Sequence, residues 1–154
     1  IIYNIPYRTG VNIEIDTVKR LSQLHNIFAI KECSGDINQL MDTISQTELR
    51  VFTGEDHLLL ITSVLGGAGA ISSSAHICLA EMKQVLADVA ANNIIAARAQ
   101  FNRILSTIRL CFAEPNPAPV KAILRHQGFI ASDEVRLPLI KATESIIAQY
   151  SKLA

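Results

Sequence analysis

The sequence predicts a parallel α/β fold. Two observations carry it. Apolar runs of strand length alternate with segments of helical period through the first 92 of the 154 residues, and each pair of runs is separated by a single crossover helix, which forces neighbouring strands to run parallel. Parallel strands are in turn nearly always covered by helices.

The elements follow in order. Residues 1–4 read as a strand, turned by Arg8-Thr9-Gly10 into a helix with Ile15, Val18, Leu21 and Leu24 on one face. Asn12 or Asp16 is suited to cap that helix, and Asn26 ends it. Residues 27–30 are the second apolar run. Ser34-Gly35-Asp36 then opens a helix carrying Ile37, Leu40, Met41 and Ile44 at the i, i+3, i+4, i+7 spacing. Residues 50–53 make the third strand, Gly54 its turn, and Glu55-Asp56 place acidic groups where a helix N-terminus favours them, ahead of the run 58–65. Gly66-Gly67 stop that helix. Residues 68–72 make the fourth strand, and a helix over 76–92 points Leu79, Met82, Leu86 and Val89 inward.

From there the character changes. Residues 94–112 form a long amphipathic helix that keeps Arg98, Phe101, Ile104, Leu105 and Ile108 in period. The stretch EPNPAPVK, 114–121, is a proline-rich break in which Pro119 can sit at a first helical position and Gly128 can end the short helix that results. A last helix is expected from Pro138 to the end. The chain thus divides into four βα units over 1–92 and a helical region over 93–154.

Four parallel units fit either an open doubly wound sheet or half of a closed eight-stranded barrel. No G-x-G-x-x-G follows the first strand, and GGAGA, 66–70, precedes a strand instead of opening a helix, so a dinucleotide fold has little support. A closed (β/α)₈ barrel takes at least about 200 residues. As half a barrel, the chain is expected to be incomplete or to pair with a missing half.

Composition narrows the function. Fourteen basic residues balance fourteen acidic ones, leaving no electrostatic footprint for nucleic acid and no polybasic stretch for a membrane surface. The apolar runs fall far short of the roughly 20 residues of a membrane helix. Cys33, Cys78 and Cys111 are widely spaced with no C-x-x-C pair, which speaks against a disulfide framework or zinc site and fits a reducing cytoplasm. Each reads as a small buried hydrophobe. His25, His57, His76 and His126 show no metal-ligand spacing. Small-molecule chemistry is the expectation.

In parallel α/β folds reactive groups gather at the C-terminal ends of strands. The second strand delivers Lys31 directly after four apolar residues. A lysine partly desolvated there has a lowered pKa and a larger fraction of free amine, which attacks ketones to form a Schiff base and an enamine. The alternative is a lysine that snorkels to solvent and pairs with Glu32. Tyr3 offers a phenol that could relay protons, or simply a buried ring with a bonded tip. Arg8 is suited to grip a carboxylate with two hydrogen bonds. Gly54 and Ile71 could bring backbone close to a ligand.

Together these pieces resemble the superfamily of dihydrodipicolinate synthase and N-acetylneuraminate lyase, pyruvate-dependent class I aldolases. YNIPYRTG (3–10) is similar to the family's Y-N-x-P-x-R-T-G segment, IKECSGD (30–36) to its lysine strand, and GGAGAISS (66–73) to its glycine-rich eighth strand. NPAPVKAIL (116–124) and RLPL (136–139) resemble the C-terminal helical region, and the 28-residue step from Tyr3 to Lys31 agrees. The resemblance implies the C-terminal half of a (β/α)₈ TIM barrel, strands five to eight, with a helical appendix. It implies Lys31 as the imine-forming lysine, Tyr3 as the proton relay, Arg8 as a holder of substrate carboxylate, and Gly54 and Ile71 as lining of the pyruvate site. The implied activity condenses pyruvate with L-aspartate-4-semialdehyde in lysine and diaminopimelate biosynthesis, by a cytoplasmic homotetramer. Arg8 tilts the resemblance toward the synthase branch, since neuraminate lyases usually lack it. A sugar-acid or neuraminate aldolase, and a non-catalytic remnant, are the alternatives. The family's threonine pair and a tyrosine from a subunit contact have no counterpart in these residues, so the isolated piece is expected to be inactive.

Overall fold

β1 (Ile2–Asn4) opens the chain, and Pro6, which fixes φ and cannot donate, turns it at once into the single helical turn α1 (Pro6–Thr9). Gly10 closes that turn at φ 74°, donating its N–H to the Pro6 carbonyl at 2.8 Å. The computed structural model describes residues 1–153, which form two compact units, Ile1–Ser72 and the residues from Ser73 onward.

The first unit continues with α2 (Ile15–Ser22), β2 (Ala29–Glu32), α3 (Ile37–Gln46), β3 (Arg50–Thr53), a 3₁₀ turn at Asp56–Leu58, α4 (Leu59–Val64) and β4 (Gly69–Ala70). The strands form one parallel sheet in the order β1-β2-β3-β4, as the alternation predicts. Register pairs run Tyr3 with Lys31 and Lys31 with Phe52, then Asn4 with Glu32, Thr53 and Ala70 in succession. Because side chains alternate along a strand, these two rows lie on opposite faces. Ile30 and Val51, on the Asn4–Glu32 face, join Val18 of α2, Leu40 of α3 and Leu49 in the buried core, with Ile2, Ile13, Ile15, Ile27 and Ile44 packed around them. Each such fully buried aliphatic side chain contributes about 1.5–3 kcal/mol.

Local boundaries differ from the sequence reading for identifiable reasons. Neither Asn12 nor Asp16 caps α2; its N-cap is Glu14, with no side-chain cap bond, because the Asn12 amide is engaged with Asn4 and Gln39. The same helix stops at Ser22, whose hydroxyl donates back to Lys19 O at 2.7 Å, before Asn26 is reached. Asp36 does cap α3, accepting from Asn38 N–H at 2.8 Å. Regular pairing in β4 is confined to Gly69–Ala70, yet Ala68 and Ile71 still donate to Val51 O and Thr53 O, at 2.7 and 2.9 Å.

The second unit is helical: α5 (Ala75–Ala90), α6 (Ile94–Cys111), α7 (Ala118–His126) and α8 (Glu144–Tyr150). Leu110, Cys111, Val120, Ile123 and Ile146 form its core. A kink at Cys78 (φ −130°, ψ 42°) changes the phase of α5, so Cys78, Met82 and Val85 are buried and Leu79 is exposed, against the expected inward series. The last helix starts at Glu144 and not near Pro138. Residues 129–143 are held instead by side chains: Lys141 pairs with Asp133 and Glu134, and Glu114 receives the Thr143 N–H at 3.0 Å. None of the helices among the described residues is long and apolar enough to cross a membrane.

Candidate active site

The sheet face opposite the core of the first unit carries the candidate site. Lys31 lies inside β2, one residue before its end, and alternation places it on the same face as its register partner Tyr3. Its ε-amino nitrogen sits over the Tyr3 ring, 4.1 Å from the centroid. Lys31 is half-buried, and it does not pair with Glu32, whose side chain turns to the other face.

Cys33, two residues beyond Lys31 and therefore on its face, is 1% exposed, with Sγ 3.8 Å from Tyr3 Oη. By residue type it reads as a small buried hydrophobe; the two-residue offset from Lys31 is the signal that it faces the site. The Tyr3 phenol is pushed well above the ordinary tyrosine range, chiefly by partial burial and next by its hydrogen bond with Cys33, while the field of Arg8 opposes this. The hydroxyl therefore stays protonated across the neutral range. Burial also pushes the Cys33 thiol up, so that it is a poor thiolate despite the neighbouring Lys31. Glu55, next to the turn after β3, is raised too, mainly by burial, with His57 opposing and Asp56 adding to the shift.

Gly54 closes the group for a steric reason. A Cβ built there would lie 2.0 Å from Cys33 Sγ and 2.4 Å from Lys31 Cε, so the lysine stem and the thiol already fill the space that a side chain would need. Its N–H donates to Glu32 O at 2.9 Å, continuing the β2–β3 ladder. Ile71 follows β4 by one residue, tied to β3 through its N–H to Thr53 O, and is 42% exposed.

Arg8 acts on this cluster through its field on the Tyr3 phenol. It lies in the turn α1, is exposed, and has its guanidinium carbon 5.9 Å from the centre of the Tyr7 ring. It makes no ion pair among the described residues, which leaves its fork of donors open. The structure thus gathers Lys31, Tyr3 and Gly54 and adds Cys33; Arg8 reaches Tyr3 through its field, and Ile71 is tied to β3 through its N–H.

This arrangement can do one thing well: present a primary amine beside a protonated phenol, on a sheet face where glycine leaves room. The model of the dihydrodipicolinate synthetase family matches residues 1–154. The chain belongs to this family. Among family members, 4-hydroxy-tetrahydrodipicolinate synthase 2 of Clostridium acetobutylicum is 39% identical over 154 residues, 99% of this chain and 54% of that protein. The crystal structure of dihydrodipicolinate synthase from Thermotoga maritima superposes with a TM-score of 0.93 at 33% identity, covering 98% of this chain and 53% of that one. The chloride-inhibited synthase of Acinetobacter baumannii, solved in complex with pyruvate, gives 0.91 at 33% identity, with 98% and 52% covered. The chain spans about half the length of the curated relatives it matches. Its α/β fold is accordingly half of the family's (β/α)₈ barrel.

Proposed function

We propose that this chain supplies the imine-forming half of a class I lyase that condenses pyruvate with L-aspartate-4-semialdehyde to give 4-hydroxy-tetrahydrodipicolinate. The observation that carries the reading is the Lys31 amine over the Tyr3 ring, in a chain whose relatives bear the synthase name and include a pyruvate complex.

The Lys31 amine attacks the keto carbon of pyruvate, and the resulting carbinolamine loses its hydroxyl as water once that oxygen is protonated. Tyr3, held protonated by burial and by Cys33, is the donor for that step and takes the proton back afterwards. Loss of a methyl proton from the imine gives an enamine, whose carbon forms the new bond to the aldehyde. The amino group of the semialdehyde then attacks the imine carbon, closes the ring and expels Lys31 as free amine, so one water is released per turnover. Arg8 offers the two-pronged donor suited to a substrate carboxylate, and Gly54 and Ile71 line the place where pyruvate sits. The imine is the electron sink, so bond making calls for no metal or organic cofactor. The setting we infer is cytoplasmic and homotetrameric.

The test is a comparison of substrates with the native full-length protein. Pyruvate-dependent consumption of L-aspartate-4-semialdehyde, with no retro-aldol cleavage of sialic or keto-deoxy sugar acids, is expected. Cleavage of the sugar acids with no turnover of the semialdehyde would contradict the reading.

A further inference from the structure

Behind Lys31 and Tyr3 lies a group that the proposed chemistry does not use. Glu32 is 3% exposed, and among the described residues no Lys, Arg or His stands within ion-pair distance of it. Its carboxylate instead accepts from Asn4 Nδ2 at 3.1 and 3.2 Å, from Ser34 N–H at 2.6 Å and from Gln39 Nε2 at 3.2 Å. A second tier locks those amides in orientation. Asn4 Nδ2 also donates to Asn12 Oδ1 at 2.8 Å, Asn12 Nδ2 donates to Gln39 Oε1 at 2.8 Å, and Asn4 Oδ1 accepts from Ile13 N–H at 3.0 Å. β1 and α3 thus meet on one carboxylate through Asn4 and Gln39, and the loop ahead of α2 braces both through Asn12.

Burying a carboxylate without a cation is costly, and apolar residues of similar volume would often be as stable. What the network supplies is register. Asn4 and Glu32 are partners across β1 and β2, each one residue beyond the partners Tyr3 and Lys31. A slip of one residue would turn every side chain of β1 to the opposite face, and the Asn4–Glu32 bond forms only in the register that sets the phenol beside the amine.

We propose that Glu32 is a positioning residue: through Asn4 and Gln39, its carboxylate holds β1 against β2 so that the Lys31 amine stays over the Tyr3 ring. The role rests on the reading of Lys31 and Tyr3 as the reacting pair, and the experiment separates the two. Asn4→Asp keeps the shape of the side chain but sets a second carboxylate against Glu32, and two carboxylates that close must share a proton. Glu14, which accepts from Asn12 Nδ2 at 3.0 Å, adds further negative charge beyond the network. Glu55 and Lys31 act on the sheet's other side, Glu55 feeling the fields of both Glu32 and Lys31.

The readout is the Cε–Hε NMR signal of Lys31 in the native full-length protein labelled with ¹³C at lysine Cε, shifted by the ring current of Tyr3 and identified by its return to the ordinary position in Tyr3→Leu. In wild type this shift is expected to stay constant between about pH 5 and pH 8. In Asn4→Asp it is expected to be present at about pH 5 and to fall reversibly by at least about half at about pH 8, as the shared proton is lost. A shift equal to that of wild type at both pH values would overturn the proposal. If Asn4→Asp shows no folded circular dichroism at any pH, Asn12→Ala, which removes only the outer tier, is measured instead. A partial loss of the shift supports the role, and an unchanged shift refutes it. Borohydride trapping of pyruvate in the native enzyme reads the chemistry separately. Asn4→Asp is expected to trap at least about tenfold more slowly than wild type at the higher pH and to recover at the lower. Failure of wild type itself to trap would sink the reaction and leave the ring-current result to judge the geometry.

Discussion

The two faces of the β1–β3 sheet differ in how they are finished. One is closed by aliphatic packing from Val18, Ile30, Leu40 and Val51 and by the amide network around Glu32. The other carries Lys31, Tyr3, Cys33 and Gly54, with Tyr3 still 46% exposed. Packing is concentrated on the first face and the proposed chemistry on the second, and adjacent residues of the same strand serve both. The difference teaches that a change on the second face should cost chemistry and little folding, and a change in the aliphatic packing the reverse, while the amide network around Glu32, which holds Lys31 over Tyr3, couples the two.

The sharpest break of that division is Lys31→Met. It should abolish pyruvate trapping and turnover while leaving the melting temperature within a few degrees of wild type, checked by mass spectrometry and thermal unfolding. Tyr3→Phe comes next. Loss of the proposed proton relay is expected to lower kcat by about 10²–10⁴-fold with a smaller effect on the KM for pyruvate, measured by steady-state kinetics. On the packed face, Leu40→Ala should cost about 2–5 kcal/mol in urea unfolding, and the protein that remains folded should still trap pyruvate at Lys31.

Gly54→Ala blurs the boundary, because the new methyl meets Lys31 Cε and Cys33 Sγ. It is expected to cost about 1–3 kcal/mol and to slow trapping, with both read on one preparation. The smallest effect is that of Cys33→Ala. Removing the thiol takes away the second cause of the raised Tyr3 pKa and leaves burial. The phenol should therefore ionise at a lower pH than in wild type yet still above an ordinary tyrosine, which a ¹³Cζ-tyrosine NMR titration would follow. An unchanged titration would show that Cys33 does not act on the phenol.

Much of the division was legible in the sequence, and the limits have physical causes. Residues 50–53 are legible as a strand because a turn glycine follows and α3 precedes them. Lys31 stood out as a charge at the end of an apolar run. Glu32 was harder to place: whether it pairs with Lys31 or points away depends on strand alternation and on donors from residues 4 and 39, which lie 28 and 7 positions away. Cys33 gave no chemical signal by type, since a thiol is also an ordinary core group. The Leu79 error came from backbone torsions at Cys78 that no periodicity reports. The helix expected from Pro138 was replaced by a segment in which ion pairs and the Glu114–Thr143 bonds compete with helical turns.

The most direct measurement is reduction of the native protein with borohydride in the presence of pyruvate, followed by peptide mapping. A stable pyruvate adduct confined to the peptide containing Lys31, absent without pyruvate and absent in Lys31→Met, is the expected result. An adduct on another lysine, or turnover without any adduct, would contradict the account.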